Sequence, residues 1–259
     1  MLAIRFFYDN FTQDDVPGMF SGWHFLFIAI FAVIVAFAVF VARRLSKKQV
    51  QTLLFWIAVS VTAAEIVKIA LRVAAGRGPD DWMPLFYCSL FLYAIWMTRS
   101  KVQWIARTGF AYITMGGILA AALFTLYPST SLALYPAWHP ASIHSLLYHA
   151  TMAFTGIVVL KTGAFVPNAK DSLLYGGFIL AACFIAYFIN EAWQCNCMFL
   201  HHAFMLPIVS DLLEYSHALY ILVVVFAQAV AMFWANYGVY KIIKRKKEGK
   251  ANERFLVFD

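Results

Sequence analysis

The chain has 259 residues, 63% of them hydrophobic and only 13% charged, with a net charge of +7. A soluble domain carries about 25% charged residues, so this composition excludes one and points to the bilayer. The positive balance does not mark a nucleic-acid binder, because the basic residues lie in short segments between apolar stretches. Residues 1–22 contain Arg5, Asp9, Asp14 and Asp15 and no apolar core with a small-residue exit, so no cleavable leader is expected. Seven apolar stretches follow at roughly 23–42, 53–74, 82–97, 104–126, 143–160, 173–190 and 217–240, taking about 20 residues per crossing. Pro84 falls in the first turn of the third stretch, where proline is tolerated. Gly116 and Gly117 sit in the middle of the fourth and read as a close helix approach.

Sixteen of the twenty Lys and Arg residues fall on one side of this arrangement. They are Arg43, Arg44, Lys47, Lys48, Arg99, Lys101, Arg107, Lys161, Lys170 and seven from Lys241 to Arg254. Arg5, Arg72 and Arg77 fall on the other side, and Lys68 lies inside the second stretch. The positive-inside rule makes the crowded side cytoplasmic, which places the amino terminus outside and requires an odd number of crossings. The expectation is an all-α polytopic protein of one seven-helix transmembrane domain, with residues 241–259 as a basic cytoplasmic tail suited to anionic headgroups. Short loops leave no room for a second folded domain. No internal repeat is visible, so the inverted-repeat signature of secondary transporters is missing.

Ionisable groups inside a bilayer are expensive and usually functional. Glu65 and Lys68 are three apart, on one face of the second stretch. On a helical rise, Cys88 lies about 10 Å below the outer boundary and His149 about 13 Å below it, with Glu65 at similar depth. His144 stands near the mouth of the fifth stretch. It is five residues from His149, so the two imidazoles point roughly 140° apart and do not share one metal. Asn190, Glu191, Asn196, Asp211, Glu214 and His217 gather at the outer ends of the last two stretches. The polar groups thus converge on one level in the outer leaflet. Each has a bland reading as well: Glu65 and Lys68 as a structural ion pair, Cys88 as a small hydrophobe, Cys183 as packing. His24 reads as part of the aromatic belt and His139 as an interfacial loop residue. Cys195-Asn196-Cys197 with His201-His202 has zinc-type ligands but matches no standard spacing, so no metal is expected.

The segments Trp82-Met-Pro-Leu-Phe-Tyr-Cys-Ser-Leu90, His144-Ser-Leu-Leu-Tyr-His149 and Asn190-x5-Asn196-x3-Leu200, with Glu65-x-x-Lys68, carry a resemblance. The chain resembles the YwaF family of bacterial integral membrane proteins, which is distantly similar to an animal transmembrane acyltransferase that remodels glycerophospholipids through a cysteine. The family's proline-leucine-x-x-cysteine core maps onto Pro84, Leu85 and Cys88, and its later histidine onto His149. Phe86 stands where the family often has histidine, and Cys197 where it often has tyrosine. What the resemblance implies is acyl transfer through a thioester in the cell membrane, with lipid or lysolipid as partner and no soluble cofactor. Cys88 would be the nucleophile and His149 or His144 the base, with Asn190 or Asn196 orienting the imidazole or donating to the oxyanion. Glu65 and Lys68 would stand behind them or meet a headgroup. Two other classes stay open: a transporter or channel along Glu65, Lys68 and His149, and a non-enzymatic receptor or assembly protein. A retinal photoreceptor is excluded, since the last stretch has no lysine for a Schiff base.

Overall fold

The computed structural model describes residues 10–203 and 207–256, which leaves Arg5 and Asp9 outside, and nine α-helices organise the described residues. They are α1 (Gly22–Ala42), α2 (Lys47–Ala74), α3 (Pro79–Trp82), α4 (Leu90–Met97), α5 (Gln103–Leu126), α6 (Pro140–Lys161), α7 (Asp171–Trp193), α8 (Pro207–Tyr215) and α9 (His217–Lys246). Six of them (α1, α2, α5, α6, α7 and α9) are long and apolar enough to cross a membrane, as expected of a multi-pass membrane protein. The all-α class expected from the sequence is what the described residues adopt.

The starts of several helices follow from local chemistry. Ser21 and Ser46 each accept from the backbone N–H three residues on, and Gln49 returns the bond to Ser46 in a capping box. The imidazole of His139 accepts from Ala141 N at 3.1 Å, and Pro140 takes the first helical position of α6. His139 is fully buried rather than interfacial. His24 is buried too: its Nδ1 accepts from Phe20 N at 3.0 Å and its Nε2 donates to Thr125 O at 2.9 Å. Its role is to tie the top of α1 to the end of α5, not to join an aromatic belt.

The core runs along α5 and α6. Their apolar windows are 67% and 56% buried, against 17–28% for the other four, so these two are the central helices and the rest ring them. Small residues let them approach. A Cβ on Gly156 would collide with Ile113 O and the Ile118 side chain, and one on Gly116 would collide with the Tyr87 hydroxyl and the Tyr175 ring. Both α5 and α9 contain a π-type segment, at Tyr112–Gly117 and Ala227–Ala231. Such a segment frees carbonyls that a bilayer cannot hydrate. Neighbours supply the donors: Asn236 Nδ2 bonds Thr114 O at 2.8 Å and Met115 O at 3.1 Å, and the Tyr175 hydroxyl bonds Gln228 O at 2.8 Å. At the opposite end from His24, Arg107 holds the buried Asp171 by two bonds of 2.9 and 2.8 Å, joining α5 to α7.

The third predicted span differs from a continuous helix. Residues 83–89 are not helical; within the expected span only Trp82, at the end of α3, and the eight residues of α4 are. The cause is local. Pro84 pushes the residue before it out of the helical region, and Met83 is extended at φ −63°, ψ 122°, which ends α3. A depth for Cys88 reckoned from helical rise therefore does not apply.

Candidate functional site

The turn that carries Cys88 is built so that every carbonyl from residue 85 to 89 has a donor. Leu85 O accepts from Met198 N at 3.2 Å, Phe86 O from Leu90 N at 3.2 Å and Cys88 O from Phe91 N at 3.0 Å. Tyr87 O accepts from Leu90 N at 3.3 Å and from the Tyr112 hydroxyl. Ser89 O accepts from Leu92 N at 3.0 Å and from the Tyr148 hydroxyl at 3.4 Å. Irregular backbone survives at membrane depth only when it is satisfied in this way. Buried tyrosines of α5 and α6 act here as side-chain substitutes for a helical ladder.

Cys88 is unpaired and half-buried, whereas Cys183, Cys195 and Cys197 are fully buried. It precedes the first residues of α4. Ser89 stands at that helix's N-cap without using its hydroxyl as a cap, and it presents both hydroxyl and backbone N–H to the Cys88 sulfur. Across from the turn, Glu65 and Lys68 of α2 form an ion pair, with Glu65 only 3% exposed. Both are within electrostatic reach of the thiol. The second oxygen of Glu65 faces His144 Nε2 at 3.6 Å, ion-pair rather than hydrogen-bond range. Glu65 thereby links α2 to α6, with Lys68 on one side and His144 on the other.

The two imidazoles of α6 face different neighbours, as their spacing requires. His144 turns to α2 and stacks near Tyr148, with ring centroids 5.6 Å apart. His149 turns to α5 and stacks on Phe124 at 3.7 Å. Its Nδ1 lies 2.7 Å from Ser145 O, a pure acceptor, so the proton sits on Nδ1 and Nε2 keeps its lone pair. No hydrogen bond joins Cys88 to either imidazole among the described residues. Tyr148, on the face that His144 shares, is the α6 residue that bonds the Cys88 turn.

Asn190 and Asn196 organise a loop. Asn190 is fully buried; its Nδ2 donates to Cys197 O at 3.0 Å, and its Oδ1 accepts from Cys197 N at 2.7 Å and Cys195 Sγ at 3.3 Å. Asn196 donates to His202 O at 3.0 Å and accepts from the amides of His201 and His202 at 2.9 and 3.0 Å. Gln194, Met198 and Phe199 all take positive φ, so these bonds hold a backbone that side chains other than glycine disfavour. Met198 N on Leu85 O, and the Phe199 ring 5.5 Å from that of Phe86, seat this loop over the Cys88 turn. Burial and the nearby Cys195 thiol push the Cys197 thiol up to about 12, so it stays protonated. His201 faces Glu191 at 3.3 Å rather than either thiol.

Ser89 and the tyrosines Tyr112 and Tyr148 are contributors that sequence reasoning missed. The sequence did carry one signal: a Ser directly before an apolar run marks a helix start, which would have split the third stretch at residue 89.

The family model described as the TMEM164 family matches residues 19–237, a range that includes all the helices packed around the Cys88 turn. No curated protein and no solved structure matches the chain. Since the match takes in most of the sequence, this multi-pass membrane protein belongs to the TMEM164 family.

Proposed function

We propose that the protein is a cysteine-dependent lipid acyltransferase of the cell membrane, with its site in the outer half of the bilayer. The resemblance to an acyl-transferring family and membership of the TMEM164 family support the lipid chemistry. The observation that carries the assignment is the setting of Cys88. It is the one thiol of four that is not fully buried, on a non-helical turn whose carbonyls are all satisfied, with two Ser89 donors and the Lys68–Glu65 ion pair beside it. A thiolate is stabilised by a helix N-terminus and a nearby cation.

In this reading His149, its Nε2 lone pair free, turns from its stack on Phe124 to take the Cys88 proton, and the thiolate adds to the ester carbonyl of a glycerophospholipid. Ser89 N–H and hydroxyl face the oxygen that becomes negative. The carbon–oxygen bond then breaks, the lysolipid oxygen leaves with the proton from the imidazolium, and a Cys88 thioester remains. A second lysolipid hydroxyl gives its proton to His149, attacks the thioester and releases the thiolate. No co-reactant beyond the two lipids is needed. The topology that suits this reading has the amino terminus outside and residues 83–97 completing a seventh crossing.

The test uses the purified full chain in liposomes with a phospholipid donor and an isotopically labelled lysophospholipid. Wild type should transfer the acyl group and yield a hydroxylamine-sensitive thioester on the Cys88 peptide. Cys88→Ala should abolish both, and His149→Asn should slow transfer by about 10²- to 10⁴-fold, the usual range for a lost general base. Full transfer by Cys88→Ala would remove the nucleophile and the proposal with it.

A further inference from the structure

Between α2 and α6 lies a groove of about 340 Å³, open to the side of the bundle and lined by Ala63, Ala64, Val67, Lys68, Leu71 and His144 among others. Its walls are apolar except where Lys68 and His144 meet it. There, Glu65 occupies one of the three N–H donors of Lys68 and leaves two. The Nε2 of His144 is buried without a hydrogen-bond partner, and it faces Glu65 Oε2 at 3.6 Å, beyond hydrogen-bond range, so a ligand oxygen can take its proton when Nε2 carries one. Ala63 and Ala64 are exposed on the outer face of α2, so the groove faces the lipid tails instead of a protein neighbour. One unspent cationic donor set, one orphaned imidazole nitrogen and an apolar trough fit an amphiphile with an anionic head and a long tail. Lys68 also lies within electrostatic reach of the Cys88 sulfur, and Tyr148, one turn from His144 on α6, bonds Ser89 O, so the polar part of the groove is the part towards the thiol.

We infer that this groove is the lateral port through which a diacyl glycerophospholipid reaches Cys88. Its phosphodiester oxygen accepts from Lys68 Nζ and His144 Nε2, and one acyl chain lies along Ala64, Val67 and Leu71. The port rests on the acyl-transfer reading for its purpose, but its occupancy is measurable without any chemistry. The full-length Cys88→Ala protein in nanodiscs of phosphatidylcholine bearing a diazirine in the acyl chain is irradiated, digested and mapped by mass spectrometry. Cross-links should concentrate on residues 63–71 of α2 and 140–148 of α6. Ala64→Trp, which fills the trough from the lipid side, should reduce those cross-links at least about tenfold, more than a single methylene is worth in an apolar pocket. Val33→Trp, on the exposed face of α1, should not. Cross-links spread evenly over the lipid-facing residues of α1, α7 and α9, or unchanged by Ala64→Trp, would overturn the port. Groove cross-links that Ala64→Trp removes, in a protein whose Cys88→Ala form still transfers acyl groups, would keep the port and discard the thioester.

Discussion

Replacing Asn190 by Ala should open the loop over the Cys88 turn without touching the turn itself. The side chain is fully buried and is the hydrogen-bond partner of both Cys197 N–H, at 2.7 Å, and Cys197 C=O, at 3.0 Å. Truncation leaves the buried Cys197 N–H unmet, at about 1–3 kcal/mol, and takes from Cys197 C=O its shorter bond, worth about 1 kcal/mol, leaving Leu200 N at 3.4 Å, so the closed loop should lose about 2–4 kcal/mol. At 1.4 kcal/mol per factor of ten, the open population rises between about 30-fold and several hundredfold. Buried thiols react with alkylating agents through such local openings. The assay is therefore a time course of N-ethylmaleimide labelling at pH 8, followed peptide by peptide. Labelling of Cys195 and Cys197 should rise by the stated factor, while Cys183, buried in the middle of α7, serves as internal control. An Asn190→Ala protein whose Cys195 and Cys197 label no faster relative to Cys183 would show that the amide is not what holds the loop.

Three further outcomes follow from the same contacts. Because burial holds the Cys197 thiol near 12, its labelling in the wild type should rise about tenfold per pH unit from 8 to 11, and a plateau near pH 9 would contradict the burial. Gly116→Ala should drive a methyl group into the Tyr87 hydroxyl and Tyr175 ring, and an overpacked site of this kind loses about 1–3 kcal/mol, readable as several degrees in a thermal melt in detergent. Arg107→Met should strand the buried Asp171 carboxylate and cost about 2 kcal/mol, discounted for the partly exposed guanidinium. Adding Asp171→Asn should recover much of that loss, and a double variant no more stable than Arg107→Met would argue against a stranded charge.

The long helices were legible because lipid exposure demands continuous apolarity. The first span expected at 23–42 is α1 at Gly22–Ala42, and the fifth, expected at 143–160, is α6 at Pro140–Lys161. Glu65 and Lys68 were legible as neighbours from their spacing alone, and they do pair. What apolarity does not encode is conformation. Residues 82–97 are apolar enough to be buried, and a bilayer normally forces burial into a helix, but burial inside protein permits a turn if donors come from elsewhere. Those donors, Tyr112, Tyr148 and Met198, are 25, 59 and 113 residues away from the carbonyls they serve. No local pattern announces such a pairing. Asn190 and Asn196 illustrate the same limit from the other side: a polar side chain in an apolar setting must be satisfied, and here backbone amides of their own loop satisfy it.

A turn in place of a helix changes what Cys88 can do. Within a continuous helix the N–H groups around a thiol are committed to carbonyls four residues back. At the start of α4 those of Leu90, Phe91 and Leu92 are spent on the turn's own carbonyls, which leaves the N–H and hydroxyl of Ser89 for the sulfur. Ser89 donates toward the sulfur because α4 starts at Leu90, and α4 starts there because Pro84 ended the preceding helical stretch at Met83. Restoring the helix, for example with Pro84→Ala, would remove the reason for the turn, and the three distant donors would then face carbonyls already bonded within the helix. The tyrosines that meet those carbonyls are therefore as much a part of the arrangement as the cysteine. Any family member that keeps the proline and the thiol but lacks Tyr112 or Tyr148 must satisfy the same carbonyls by other donors, because hydrocarbon offers none.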